Sequence, residues 1–338
     1  MQAILSVTVP FFALVLCGYL AASRHVLPAS AIPGLNAFVL FFALPCLLFR
    51  FGMSTPVLEL LNPAVLGVYV LAALLIVFFT VAITHGPQLG MKDSAFGALV
   101  AAFPNSGFMG VPLLVALAGP AAAGPVICTV LADMLITSSV CLGLAQSGAG
   151  TGAAHSGRDA GLRALRGALS NPLPWAIVLG AAAGVSGLEL PGPAAGILRM
   201  LADAASPVAL FTIGAVLWRA GEHARHPAGV PGGPGDNMPP NWGRVWPVTL
   251  IKLLLHPLLV LALGVSARQL GVNLNSYQLM VLTLTAALPS ASNVSLLAER
   301  YGADNGRIAR IILSSTLLAF FSFSLLAWSF GAQPGPAR

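Results

Sequence analysis

The sequence predicts an all-helical membrane protein with about ten transmembrane helices. Of its 338 residues, 57% are hydrophobic and only 8% are charged, whereas roughly a quarter of the residues in soluble domains carry a charge. The apolar residues form runs of about 20, the length at which a helix spans the hydrocarbon core of a bilayer. Because so few charged residues cannot cover a water-exposed surface, the lipid bilayer is the expected solvent.

Ten candidate spans are bounded by charged residues, Pro, Gly or Asn. They cover residues 4–23, 31–50, 63–85, 94–117, 122–146, 171–188, 196–219, 246–268, 276–299 and 305–330. Two spans begin with an Asn-Pro pair, at Asn62 and at Asn171. In such a pair Asn caps the helix and Pro takes the first helical position, so both helix starts are well defined.

The distribution of Lys and Arg predicts an inner-membrane protein with both termini on the non-cytoplasmic side, because cytoplasmic loops are enriched in these residues. With the N-terminus outside, eleven of them would lie inside: Arg24, Lys92, Arg158, Arg163, Arg166, Arg219, Arg225, Arg244, Arg300, Arg307 and Arg310. Four would lie outside: Arg50, Arg199, Arg268 and Arg338. This topology explains the formal charge of +6, and no nucleic-acid partner is expected.

Two segments between spans are predicted to be cytoplasmic connections without a fold of their own. Residues 147–170 are rich in Gly and Ala, and residues 220–243 contain PGGPGDNMPP. The first connection divides the chain into residues 1–146 and 171–330, each with five predicted spans. Because five is an odd number, the second half would be inverted in the membrane relative to the first.

Matching residues in the two halves indicate an internal repeat. An offset of 162 positions pairs Pro10 with Pro172, Gly18 with Gly180, Pro45 with Pro207 and Phe49 with Phe211. Beyond the 220–243 loop the offset becomes 185, which pairs Pro104 with Pro289, and the change is about the length of that loop. Inverted repeats are typical of secondary transporters, whose binding site lies near the bilayer midplane where interrupted helices meet.

The fourth and ninth spans are predicted to be broken helices. FPNSGFMGVP begins at Phe103 and LPSASN at Leu288, each within an apolar run. Proline removes a backbone donor and obstructs the preceding turn, and the free amides and helix ends that result favour an anion. The predicted binding residues are Pro104, Asn105, Ser106, Gly107, Pro289, Ser290, Ser292 and Asn293. The alternative is that both prolines are tolerated kinks without a binding role.

Of the ionisable residues within predicted spans, three need an explanation because a charge at bilayer depth is costly, whereas others such as Asp203 and Glu299 lie near span ends. Lys252 and His256 are one helical turn apart, and Asp133 lies in the middle of the fifth span. Lys252 could balance a substrate charge or extend towards the membrane surface. His256 could carry a proton or be a hydrogen-bonded core residue. Asp133 could pair with Lys252 or take up a proton or cation during transport.

The two motifs resemble the crossover motifs of the auxin efflux carrier family. FPNSGFMGVPLL from Phe103 and PSASNVSLLAERYG from Pro289 carry the resemblance, and ALPCLLF from Ala43 is similar to the second helix of the family. The resemblance covers essentially the whole chain. It implies ten helices in two inverted repeats, with a scaffold of helices 1, 2, 6 and 7 and a transport domain of helices 3–5 and 8–10. It also implies an elevator-like motion and a contact between Asn105 and a substrate carboxylate.

The sequence departs from the plant members of this family in two places. They have Pro-Gln-Gly in the ninth helix, where this chain has Pro289-Ser290-Ala291. The long central cytoplasmic loop of many plant carriers is absent. The chain resembles short bacterial members instead, some of which are described as malonate carriers, so a small mono- or dicarboxylate is expected rather than auxin.

The predicted function is therefore secondary transport of a small organic anion. A sodium- or proton-coupled ion exchanger of similar fold and a non-transporting receptor are the alternatives. No enzymatic activity is expected, because the sequence has neither an HExxH motif nor the two catalytic aspartates of an intramembrane aspartyl protease. We expect no cofactor and no metal site, and coupling to H⁺ or Na⁺ is open. The expected partners are the anion and membrane lipid, and a homodimer through the scaffold is considered.

Overall fold

The computed structural model describes residues 2–54, 62–147, 172–225 and 242–332, and within these ranges it contains helices and no β-strand. The first half comprises α1 (Gln2–Ser23), α2 (Ala29–Ser54), α3 (Pro63–Thr84), α4 (Met91–Ala102), α5 (Ser106–Ala118) and α6 (Pro120–Ser147). The second half comprises α7 (Pro172–Val185), α8 (Gly192–Arg225), α9 (Trp242–Gln269), α10 (Ser276–Ala286), α11 (Val294–Arg300) and α12 (Asn305–Ser329). Seven of these helices, namely α1, α2, α3, α6, α8, α9 and α12, are long and apolar enough to cross a membrane.

The helix boundaries agree with the predicted spans at most positions. The side-chain oxygen of Asn62 accepts hydrogen bonds from the backbone amides of Ala64 at 3.0 Å and Val65 at 3.2 Å, which confirms the predicted cap of α3. The largest boundary difference is at the end of α8, which continues to Arg225, so the 220–243 loop starts later than predicted. The predicted cap at Asn171, and nearly all of the 147–170 connection, lie outside the described residues.

Three of the long helices contain a π-helical turn. These turns cover Val39–Ala43 in α2, Asp133–Thr137 in α6 and Ile251–Leu255 in α9. A π turn inserts one extra residue into the helix and often accompanies a functional site. Two of the turns contain the ionisable residues Asp133 and Lys252.

Two helix pairs pack through glycines at very close range. A Cβ atom on Gly18 of α1 would overlap the carbonyl oxygen of Phe211 in α8. In the same way, a Cβ atom on Gly180 of α7 would overlap the carbonyl oxygen of Phe49 in α2. The pairs α1–α8 and α2–α7 therefore require glycine at these positions, since backbones at this distance leave no room for a side chain.

A second pair of contacts follows the same arrangement. Gly214 of α8 lies against the carbonyl oxygen of Val15, and Gly52 of α2 lies against that of Ile177. Gly18 and Gly180, Phe49 and Phe211, Val15 and Ile177, and Gly52 and Gly214 are each separated by 162 positions. The contacts between α1 and α8 are thus repeated between α7 and α2.

Among the remaining helices, Arg307 joins three helix ends. This side chain is 2% exposed although it belongs to the first turn of α12. Its Nε donates to the carbonyl oxygen of Arg244 at 3.2 Å, and a terminal nitrogen donates to that of Asp93 at 3.1 Å. Arg307 therefore connects the start of α12 with the starts of α9 and α4.

Candidate functional site

The helix that begins at Met91 is interrupted at Pro104. Helix α4 ends at Ala102, Phe103 has an extended conformation with φ −98° and ψ 100°, and α5 begins at Ser106. Pro104 has no backbone N–H and its ring obstructs the carbonyl group four residues earlier, which explains why the helix cannot continue. The interruption leaves the C-terminal end of α4 and the N-terminal end of α5 inside the protein.

A second interruption separates α10 from α11. Helix α10 ends at Ala286, α11 begins at Val294, and the intervening residues include Pro289. The backbone carbonyl of Thr285 accepts from the amide of Leu288 at 3.2 Å, which closes the last turn of α10 before the proline. This interruption, like the first, lies in a stretch of buried residues.

The two interruptions lie against each other and are joined by backbone hydrogen bonds. Asn105 donates its amide to the carbonyl oxygen of Pro289 at 2.8 Å, and Ala291 donates to that of Phe103 at 3.0 Å. This pairing is an isolated antiparallel bridge between Pro104 and Ser290. The structure therefore brings together four of the binding residues that were predicted from the sequence: Pro104, Asn105, Pro289 and Ser290.

Ser290 fixes this bridge to the neighbouring helices. Its hydroxyl donates to the carbonyl oxygen of Val100 in α4 at 2.7 Å, and its amide donates to the Ser315 hydroxyl of α12 at 3.2 Å. Ser315 was not among the predicted site residues. It lies between Ser314 and Thr316, and a run of alcohols in an apolar helix does not indicate which of them contacts the site.

The N-terminal end of α5 presents several unused hydrogen-bond donors. Among the described residues, neither the side-chain amide of Asn105 nor the backbone amides of Gly107 and Phe108 have an acceptor. The Asn105 side chain is 3% exposed, and a Cβ atom on Gly107 would meet no atom within 4 Å. Open space therefore lies beside a helix N-terminus with free amides, an arrangement that favours a negatively charged group.

The other predicted binding residues have different surroundings. Ser106 is fully buried, with its hydroxyl 3.5 Å from the carbonyl oxygen of Pro104. Ser292 is buried and Asn293 is half-buried, and both lie in the turn that precedes α11. Asn293 makes no side-chain capping bond to that helix.

Asp133 lies apart from the bridge, in a buried cluster of side chains. It is fully buried and accepts hydrogen bonds from the Tyr69 hydroxyl at 2.8 Å and the Thr137 hydroxyl at 3.0 Å. The ring of Tyr69 also contacts that of His256, with the ring centres 5.9 Å apart. The proposed direct pair with Lys252 does not form, since these two described residues have no ionic contact within 4.0 Å.

Lys252 binds the end of α10 and does not extend to the membrane surface. Its ammonium group is fully buried, donates to the carbonyl oxygen of Ala286 at 2.8 Å, and lies 3.2 Å from Nδ1 of His256. Ala286 is the last residue of α10, so a positive charge lies at the negative end of the helix dipole. Nε2 of His256 is buried and has no partner in the described part of the chain.

Comparison with known proteins identifies the class and the family. In the described part of the chain, seven apolar helices of membrane-spanning length and two interrupted helices are typical of a multi-pass membrane transporter. A family model described as "Membrane transport protein" matches residues 3–327. The chain belongs to this family, the auxin efflux carrier family, so the resemblance noted in its motifs is confirmed.

Several relatives match nearly the full chain. The "Putative malonate transporter" of Rhizobium meliloti (strain 1021) is 28% identical over 94% of this chain and 93% of its own length. The "Uncharacterized transporter YfdV" of Escherichia coli (strain K12) is 25% identical over 86% of both chains. An "Uncharacterized transporter" of Methanothermobacter thermautotrophicus is 27% identical over 97% of both chains.

Proposed function

We propose that the protein is a secondary transporter that moves a small organic anion, a mono- or dicarboxylate such as malonate, across the inner membrane. The observation that carries this proposal is the set of unused donors at the start of α5: the Asn105 side chain and the amides of Gly107 and Phe108. The relative from Rhizobium meliloti supports malonate by its name.

These donors suit a carboxylate for two reasons. An ionised carboxyl group accepts several hydrogen bonds at once, and each one made in a buried setting is stronger than its neutral counterpart. The N-terminal end of α5 adds a partial positive charge. The segment that pairs with Pro104 is fixed by the hydrogen bonds of Ser290 to α4 and α12. The donors at the start of α5 should therefore keep their positions when the anion leaves.

We further propose ten membrane spans in two inverted repeats. When α4 with α5 and α10 with α11 are each counted as one interrupted span, the described helices make up ten. The reciprocal glycine contacts of α1 with α8 and α7 with α2 support the repeat, because they relate residues at a single offset. The Lys and Arg distribution supports termini on the non-cytoplasmic side.

An elevator-like motion is proposed for the transport step. The glycine contacts make α1, α2, α7 and α8 a compact scaffold, and the bridge belongs to the other group of helices, α3–α6 and α9–α12. A cavity of about 390 Å³ lies between the groups, lined by Asn36 and Arg219 on one side and Ser295, Glu299 and Asn305 on the other. Ser295 belongs to α11, the helix that follows the second interruption, so the cavity reaches one of the two interrupted helices. A scaffold-mediated homodimer stays a prediction.

The two alternatives make different demands on the site. An ion exchanger would use Asp133, but exchangers of similar architecture typically need adjacent buried aspartates, and the hydrogen-bond partners of Asp133 in the described part of the chain are Tyr69 and Thr137. A receptor would bind the anion without releasing it across the membrane, so only a flux measurement separates it from a carrier.

The proposal is tested by uptake of radiolabelled carboxylates into proteoliposomes that contain the purified protein. Malonate, succinate, acetate and indole-3-acetate would be compared with protein-free liposomes. We expect saturable uptake of a small carboxylate that unlabelled substrate inhibits. Saturable binding to the purified protein without uptake would identify a receptor. If the protein neither binds nor takes up any of these carboxylates, the proposed function is refuted.

A further inference from the structure

We propose that the protein moves one proton together with its anion, and that Asp133 holds this proton while Lys252 stays charged at the end of α10. The inference rests on the proposed function and specifies how the transport is driven. It comes from the buried cluster around Asp133, which the anion site itself does not use.

The partners of Asp133 suit both the ionised and the protonated carboxyl group. Tyr69 and Thr137 donate their hydroxyl groups to the carboxylate. A hydroxyl oxygen also accepts hydrogen bonds, so either residue can accept from the acid once Asp133 is protonated. A guanidinium or ammonium in direct contact would hold the carboxylate in its charged form, and no such contact to Asp133 occurs among the described residues. The surroundings thus allow a proton to enter and leave.

The titratable groups around Asp133 come from two neighbouring helices and from α6 itself. Tyr69 belongs to α3, Cys141 to α6, and Lys252 and His256 to α9. Of the other helices packed against α6, α4 has its charged residues in its first turn, α5 has no titratable residue, and α10 has only Tyr277. Among the described residues, Lys252 is therefore the cation whose charge Asp133 offsets when it is ionised.

Lys252 connects this cluster to the anion site. Its ammonium donates to the carbonyl oxygen of Ala286, which lies three residues before Pro289. The carbonyl oxygen of Pro289 accepts from the backbone amide of Asn105. With Asp133 ionised, the charges of Asp133 and Lys252 cancel. Protonation of Asp133 leaves one positive charge beside the bridge, where it attracts the anion. By linkage, anion binding favours proton binding to the same degree.

This charge balance also favours the movement through the membrane. A monovalent anion and one added proton together add no net charge to the transport domain. The free energy needed to move this domain through the low dielectric of the membrane is therefore lower than with the anion alone. In other transporters, Na⁺ binds at the C-terminal ends of half-helices. Here the ammonium of Lys252 occupies the end of α10, so a dependence on Na⁺ is not expected.

The test uses the purified parent protein in liposomes with a trapped pH-sensitive dye, with the membrane potential held at zero. Uptake of labelled malonate should acidify the lumen, and at zero membrane potential an inward gradient of one pH unit should support about tenfold accumulation of the malonate species that enters with one proton. Replacing Na⁺ by choline should change neither result. Protein-free liposomes correct for passive entry of the neutral acid. Uptake without proton movement, or uptake that requires Na⁺, would overturn the proposal.

A variant pair locates the proton. Asp133→Asn should keep the exchange of labelled for unlabelled malonate across the membrane but lose accumulation driven by the pH gradient. Asp203→Asn is the matched control, because Asp203 is an exposed residue of α8 paired with Arg50 at 2.9 Å. Proton-coupled accumulation in Asp133→Asn would contradict the assignment. If this variant does not fold, the proton flux of the parent decides. Absence of exchange in the parent itself would instead refute the proposed transport function.

Discussion

The backbone amide of Asn105 lies 2.8 Å from the carbonyl oxygen of Pro289, and this hydrogen bond joins two helices that are both interrupted within the protein. Each interruption is next to a proline, which cannot donate a helical hydrogen bond. The two interrupted segments satisfy part of each other's backbone, and the donors without an acceptor beside them include the Asn105 side chain and the amides of Gly107 and Phe108 at the start of α5. The proposed anion site depends on these unpaired donors.

The glycine contacts of the scaffold predict a paired loss of stability. Gly18→Ala and Gly180→Ala each place a methyl group against a carbonyl oxygen of the neighbouring helix, and overpacking of this kind typically costs about 1–3 kcal/mol. We expect both variants to melt at a lower temperature in detergent, by similar amounts. Gly67→Ala in α3 is the control, since nothing lies within 4 Å of the added atom. An effect at only one of the two positions would contradict their equivalence in the repeat.

Removing the Arg307 side chain should weaken the contact of α12 with α9 and α4. Arg307→Leu leaves the carbonyl groups of Arg244 and Asp93 without this donor, and hydrogen bonds from a charged group contribute about 1.5–3 kcal/mol each. Thermal unfolding monitored by intrinsic fluorescence should show a clear decrease. Arg300→Leu, at an exposed position, should change the melting temperature little. Equal melting temperatures for the two variants would show that Arg307 has no such role.

The Lys and Arg distribution predicts the orientation of the chain. Alkaline phosphatase fused after Arg338 should be active, and green fluorescent protein at the same point should be dark, because the C-terminus is predicted outside. Fusions after Gly302, in the connection between α11 and α12, should give the opposite pattern. Fluorescence from the fusion after Arg338 would contradict the predicted location of the C-terminus.

Much of the helical organisation was predictable because the chain is apolar in runs that end at Pro, Gly, Asn or charged residues. The interruptions were predictable for the same reason: a proline followed by Asn or Ser within an apolar run is a local signal. Of the two partners of Asp133, Thr137 lies one helical turn away and is a local neighbour in the sequence, whereas Tyr69 could not be predicted. Tyr69 lies in a helix whose lipid-facing and buried residues are equally apolar, so no pattern marks the face that contains it.

Side-chain contacts to backbone carbonyl groups also could not be predicted from the sequence. Lys252 binds the carbonyl oxygen of Ala286, which carries no side-chain signal at all, and the sequence offered only a choice between a charge partner and the membrane surface. The extension of α8 to Arg225 likewise follows a run of ordinary helix formers before the Pro- and Gly-rich segment.

The most direct test of the central claim is saturable malonate uptake by the Asn105→Ala variant compared with the parent and with Asn273→Ala. Asn273 is exposed in the connection between α9 and α10, so the control removes the same amide outside the site. A lost hydrogen bond to a charged group costs about 1.5–3 kcal/mol, which corresponds to a roughly ten- to hundredfold decrease in kcat/KM for uptake. We predict this decrease for Asn105→Ala and unchanged uptake for Asn273→Ala. Parental uptake by Asn105→Ala would contradict the account.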